Sequence, residues 1–192
     1  MPTYYIVSKD KDPLGTNEIN AGDTITPAEG DVFIFTATAE TNTKFESATS
    51  TDYDVQFLVS NTNGFDVEFS NNSNPTITIA DTVDISGVYI KADNADSVEM
   101  TIGDGVTLDR FSGSNSGADN ITIGDDFTTS NDFKTNGGDD TINIGANATA
   151  PKFDGGNDTD TIPTYSHDLT IQNFETTNLP DGVVDGTSCD DT

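Results

Sequence analysis

Met100-Thr101-Ile102-Gly103-Asp104 returns as Ile121-Thr122-Ile123-Gly124-Asp125, and again as Ile142-Asn143-Ile144-Gly145. The steps from Ile102 to Ile123 and from Ile123 to Ile144 are both 21 residues. A fixed period of this size marks a solenoid, in which each repeat buries its apolar face only against its neighbours.

Working outward from these segments, three apolar ladders alternate as strands require. The first runs Phe57/Val59, Ile77/Ile79, Met100/Ile102, Ile121/Ile123, Ile142/Ile144 and on to Ile162. The second runs Val83/Ile85, Val106/Leu108, Phe127 and Ala148. The third runs Phe45, Val67, Val88, Phe111, Phe133, Phe153 and Phe174. Gly, Asn and Asp between them supply the backbone freedom for corners. The pattern predicts an all-β fold, a three-sided parallel β-helix with coils of about 21 residues. Parallel crossovers are nearly always right-handed, which sets the expected hand. The expected domains are an N-terminal cap or arm over 1–31, the β-helix over 32–174, and a C-terminal cap with an acidic tail over 175–192. End coils expose unpaired strand edges, which is why a solenoid needs caps.

The 192 residues carry seven basic and 34 acidic side chains, a net charge of −27. That balance argues against nucleic acid and anionic membranes as partners. No apolar run approaches the roughly 20 residues needed for a membrane helix, so no membrane insertion is expected. The opening residues show no cationic-then-apolar signal pattern. Cys189 is the only cysteine, and an intrachain disulfide is therefore impossible. Of the acids, 27 are Asp and only seven are Glu. Short carboxylates are favoured in turns and in tight cation sites.

These aspartates recur at one corner. Ser116-Gly117-Ala118-Asp119-Asn120-Ile121 is followed by Gly137-Gly138-Asp139-Asp140-Thr141-Ile142, then by Gly155-Gly156-Asn157-Asp158-Thr159-Asp160-Thr161-Ile162. The last segment resembles the Gly-Gly-x-Gly-x-Asp-x-apolar-x nonapeptide of calcium-binding RTX (haemolysin-type) proteins, with Asp158 in place of the third glycine. The resemblance covers residues 97–165. It departs from that family in coil length, about 21 residues against two nonapeptides, and Gly137-Gly138-Asp139-Asp140 is a shortened variant. The resemblance implies calcium binding and secretion through a type I exporter with a C-terminal signal.

The residues make a physical case of their own. Asp119, Asp140 and Asp160 each stand two residues before a core isoleucine, so they stack in a column; Asp104 and Asp125 make a second. Two carboxylates about 5 Å apart repel by roughly 3 kcal/mol at an effective dielectric of about 20. A hard cation with six to eight oxygen ligands reverses that sign, drawing on carboxylates, Asn side chains and turn carbonyls. The candidate ligands for Ca2+ are Asp119, Asp139, Asp140, Asp154, Asn157, Asp158 and Asp160, together with Asp104 and Asp125. The bland alternative is a set of solvated turn aspartates screened by salt.

Other surfaces support weaker readings. Thr78, Thr101, Thr122 and Asn143 form an outward row, and Thr107, Thr128 and Thr149 a second, as an ice-binding face would require. Threonine also favours exposed strand positions for its own sake. A polysaccharide-modifying enzyme, such as a lyase or epimerase, would need a base and cations. His167, Arg110, Lys134 and Lys152 are the sparse candidates, and no catalytic set stands out. The leading expectation is a secreted calcium-binding structural protein at the cell surface, not an enzyme. It would be a self-assembling homopolymer subunit of an extracellular filament, surface layer or biofilm matrix, with an arm at 2–12 adding a strand to a neighbour. The alternative is a calcium-dependent adhesin or glycan-binding module that recognises a cell-surface glycan.

Overall fold

The computed structural model describes residues 3–8, 18–70, 72–163, 169–174 and 176–177. The chain begins with β1 (Tyr4–Ser8), β2 (Glu18–Asn20), β3 (Thr24–Ile25), β4 (Val32–Phe35), β5 (Thr43–Glu46) and β6 (Thr51–Phe57). It continues through β7 (Phe65–Ser70), β8 (Ser73–Ile79), β9 (Asp84–Asn94), β10 (Glu99–Ile102), β11 (Thr107–Ser112), β12 (Asn120–Ile123) and β13 (Thr128–Thr129). The last described strands are β14 (Phe133–Lys134), β15 (Thr141–Ile144), β16 (Phe153–Asp154), β17 (Thr161–Ile162), β18 (Ile171–Gln172) and β19 (Thr176–Thr177). The described residues contain no helix.

Every pairing between these strands is parallel, and they form a β-solenoid of about six turns with about 22 residues per turn. One sheet runs β2-β1-β4-β6-β8-β10-β12-β15-β17-β19; the other runs β3-β5-β7-β9-β11-β14-β16-β18, with β13 also on β11. The second and third expected ladders share this second sheet. β9 and β11 pass unbroken from one ladder to the other, whereas β13 and β14 meet β11 as separate short strands.

Alternation drives the local structure. In β10 and β12, Met100, Ile102, Ile121 and Ile123 point inward while Glu99, Thr101, Asn120 and Thr122 face outward. Their registers are Met100↔Ile121↔Ile142 and Ile102↔Ile123↔Ile144, as the period requires. The outward threonine rows are equally in register, Thr78↔Thr101↔Thr122↔Asn143 and Thr107↔Thr128↔Thr149. Stacked rings fill much of the interior: Phe111 lies 4.7 Å from Phe133, and Phe133 lies 5.7 Å from Phe153. Such contacts add to the free energy gained by burying the rings.

Four register assignments differ from the sequence reading. Phe45 lies opposite Phe69, and Val67 opposite Thr43, so Phe45 and Val67 are not neighbours in one ladder. Val55 and Phe57, not Phe57 and Val59, lie opposite Ile77 and Ile79; Leu58 and Val59 are exposed. The residue between Val67 and Phe111 is Ile90, not Val88, because β9 carries two extra residues around Gly87. An added Cβ at Gly87 would approach the carbonyl oxygens of Thr62 and Asn63 to 2.5 and 2.6 Å, so only glycine fits. At the end of this ladder Phe153 faces Ile171 rather than Phe174.

Within residues 1–31, β1 is paired on both edges, to β2 and to β4. The part of the expected arm that is described is thus an internal rung. The rest of that arm, His167, Cys189 and residues 178–192 lie outside the described residues.

Candidate functional site

The corner before the first sheet does stack Asp119, Asp140 and Asp160, since Asn120, Thr141 and Thr161 are in register. Their side chains point inward. Each stands two residues before a core isoleucine, on the same face of the strand, and all three are buried. The carboxylates serve the backbone. Asp119 accepts the Val98 N–H through Oδ1 at 2.8 Å and the Ser114 N–H through Oδ2 at 2.9 Å. Asp140 Oδ1 accepts the Asp119 N–H at 2.7 Å, and Asp160 Oδ1 accepts the Asp140 N–H at 2.9 Å. Chain corners leave these amides without a backbone partner, and buried amides need one. Gly113 supplies the space, because a Cβ there would strike Asp119 Oδ2.

Burial pushes the Asp119 carboxyl up to about 8, against the pull of the Ser114 and Val98 amides, with the neighbouring Asp140 and Asp160 charges adding to the rise. Burial likewise raises Asp140 to about 6, opposed first by its bond from the Asp119 amide and then by the neighbouring Thr135 hydroxyl. Asp140 Oδ2 is buried without a hydrogen-bond partner. Inward carboxylates already committed to amides do not fit a cation site, in which several oxygens must converge on one ion.

The Asp104 and Asp125 column is different. Both are exposed at tight turns, and Asp81 precedes them in the same stack. Asp81 Oδ1 accepts the Asp104 N–H at 3.1 Å, Asp104 Oδ1 the Asp125 N–H at 2.8 Å, and Asp125 Oδ1 the Ala146 N–H at 2.7 Å. The following residues Thr82, Gly105, Asp126 and Asn147 all have positive φ, at 60, 65, 57 and 57 degrees. The sequence signals this turn by Asn, Asp and Gly, although Thr82 adopts it too.

The remaining candidates fall into two places. Asp139 and Asp158 are exposed on adjacent coils, where Asp139 Oδ1 accepts the Thr159 N–H at 3.0 Å and Asp158 Oδ2 the Gly138 N–H at 3.3 Å. Asn157 is exposed beside them and donates its backbone N–H to Asn136 O at 2.7 Å. Asp154 lies on the second sheet, 2.8 Å from Lys152 Nζ, and accepts from Asn173 Nδ2 at 2.7 Å. The Asp154 hydrogen bond raises the Lys152 ammonium above its ordinary range. Among the described residues, no three His, Cys, Asp or Glu side chains converge into a group able to hold a metal ion. The exposed pairs supply at most two carboxylates each, leaving the other oxygens of a calcium shell to turn carbonyls and water.

An outward row on the second sheet escaped the sequence reading. Lys44, Glu68, Lys91, Ser112, Lys134, Asp154 and Gln172 are paired in register from end to end. Glu68, Ser112, Lys134 and Asp154 each follow a residue of the third ladder, which was the available signal; Lys91 and Gln172 follow Ile90 and Ile171, which that ladder did not contain. Arg110 stands in a neighbouring row, its guanidinium 5.0 Å from the Tyr89 ring centre. The chain matches no protein-family model, no curated protein and no solved structure.

Proposed function

We propose that the protein is a structural β-solenoid, a stiff acidic subunit that self-associates into an extracellular filament, surface layer or biofilm matrix. The observation that carries this reading is the continuity of both sheets. Parallel ladders run in register from β2 and β3 at one end to β18 and β19 at the other. A second copy can extend such ladders by adding a strand, with main-chain hydrogen bonds supplying the affinity.

At −27, like-charged subunits repel one another, and a divalent cation offsets that repulsion. Calcium is the proposed ion, and the exposed pairs Asp104/Asp125 and Asp139/Asp158 are its proposed carboxylate ligands. Asp119, Asp140 and Asp160 take no part, being committed to the backbone. The fold needs no catalysis to account for its features, and secretion to the cell surface is the setting that supplies millimolar calcium.

The test is a calcium titration followed by sedimentation velocity and electron microscopy. The expected result is growth of ordered assemblies at millimolar calcium, reversed by chelator, and reduced when Asp104 and Asp125 are both changed to Asn. A chain that stays monomeric throughout would exclude the proposal.

A further inference from the structure

All five cationic side chains among the described residues stand on the second sheet or at its border. Four of them are ion-paired. Lys44 lies 3.7 Å from Glu46 and Lys91 3.9 Å from Asp93, while Lys134 and Lys152 each lie 3.7 Å from Asp132 Oδ2. Arg110 has no carboxylate within ion-pair distance among the described residues, in a chain of net charge −27. The two carboxylates that share its groove are engaged elsewhere: Asp132 holds the two lysines, and Asp93 accepts from Ser112 Oγ at 2.5 Å and pairs with Lys91.

The exposed guanidinium is held rather than loose. Tyr89 and Arg110 are register partners on adjacent rungs, and the ring lies beneath the cation. Such a contact orients the planar fork, so less freedom is lost when it grips a ligand. The pair lines a groove of about 600 Å³ together with Asn115, Asn131 and Asn136 and the two carboxylates of Asp93 and Asp132. A second hollow of about 310 Å³ shares Asn115, Lys134 and Asn136 and carries the groove on toward Asn173. Together they cross successive coils along the solenoid axis.

We infer that this groove binds an acidic saccharide, with a sugar carboxylate forked onto Arg110 and sugar hydroxyls bonded to Asn115 and to the side-chain oxygens of Asn131 and Asn136. A guanidinium matches a carboxylate through two parallel N–H···O bonds, which favours it over a neutral sugar. The Asn131 amide already donates to Asp109, and the Asn136 amide to Ser112 Oγ and Gly113 O, which fixes both side chains and leaves their oxygens to accept from sugar hydroxyls. The surrounding negative charge does not forbid the contact. Salt screens the distant acids beyond about 8 Å, and the two in the groove, Asp93 and Asp132, are paired with Lys91, Lys134 and Lys152.

The experiment is isothermal titration of a galacturonic acid tetrasaccharide, at physiological salt and in chelator, alongside its methyl ester. The acid form should bind the unaltered chain at sub-millimolar concentration and the ester at least tenfold more weakly. Arg110→Gln should weaken the acid form at least tenfold and Tyr89→Ala severalfold, with the circular dichroism of the fold retained. Arg110→Lys, which keeps the charge and loses the fork, should also weaken it and serves if the Gln variant misfolds. No binding to the unaltered chain, equal affinity for the ester, or indifference to both Arg110 variants would overturn the inference. Chelator separates this outcome from calcium-linked assembly, and sedimentation in the same solutions separates ligand binding from self-association.

Discussion

The backbone N–H of Asp119 donates to the carboxylate of Asp140 one coil further on, at 2.7 Å. The outer column works in the opposite sense, for Asp104 accepts the N–H of Asp125 on the following coil. Both columns use a side chain to complete a backbone ladder at a corner where the strands have ended. The inner column does so in the core, where a charge is costly. This separates the two sets physically: burial makes Asp119 and Asp140 bind their protons more tightly than ordinary carboxyls, whereas Asp104 and Asp125 stand exposed where a partner or an ion meets them.

Stability should therefore fall as pH rises from about 5 to about 8. Asp119 and Asp140 are raised to about 8 and about 6 in the folded chain, above the ordinary 3.8 that the unfolded chain is taken to have. Between these values the folded chain binds more protons than the unfolded one, and stability declines as those protons leave. Each unit of displacement corresponds to about 1.4 kcal/mol, so a loss of roughly 2 kcal/mol or more across the window is expected. Urea unfolding at fixed ionic strength in chelator would read it directly. A flat or rising profile would contradict the buried, proton-holding column.

Asp140→Asn separates charge from hydrogen bonding. The amide keeps an oxygen for the Asp119 N–H and puts a neutral group in place of the unpartnered Oδ2. Stability at pH 8 should rise or hold, and the pH slope should shrink. Asp140→Ala removes the acceptor and leaves the buried Asp119 amide unpaired, costing about 1–3 kcal/mol. If the two variants behaved alike, the carboxylate would not be serving as a backbone acceptor.

The period was legible because Ile102, Ile123 and Ile144 repeat without insertion, and their register is the one the spacing dictates. The earlier coil was not, since Val55-Gln56-Phe57-Leu58-Val59 offers two registers that differ by two residues and keep the same face inward. The 22-residue step from Val55 to Ile77 prevails over the 20-residue step from Phe57. Ile90 was hidden for the same reason, behind the two-residue insertion at Gly87. At the candidate site the stacking of Asp119, Asp140 and Asp160 was readable. Their inward direction was readable too, from the even spacing to the next isoleucine, but the acidic composition suggested solvent instead. The lone cation at Arg110 depends on where Asp93 and Asp132 spend their charges, which spacing alone does not reveal.

The register of that early coil can be checked by a pair of truncations. Val55 is fully buried and Val59 is 47% exposed. Val55→Ala should cost about 2 kcal/mol from lost burial and the cavity left behind. Val59→Ala should stay within about 0.5 kcal/mol of the unaltered chain. Chemical denaturation of the two variants gives the comparison, and the reverse ranking would restore the alternative register.

The glycine column tests how closely the coils are stacked. A Cβ at Gly124 would lie 2.6 Å from both the Gly103 carbonyl carbon and Asp104 Oδ1, and 2.8 Å from the Asp104 nitrogen. Backbone atoms cannot swing aside, so Gly124→Ala must part the two coils. That strains the bond from Gly124 N to Ile102 O at 2.8 Å and the neighbouring bond from Asp125 N to Asp104 Oδ1. Overpacking of this kind costs about 1–3 kcal/mol, and weakened ladder bonds add to it. Gly64 is the control, with open space around its Cβ position and no positive φ. There an alanine should be neutral, or stabilising by up to about 1 kcal/mol through the unfolded state. Thermal unfolding of the two variants should move in these different directions, and an unaffected Gly124→Ala chain would mean that the coils are not in contact at this corner.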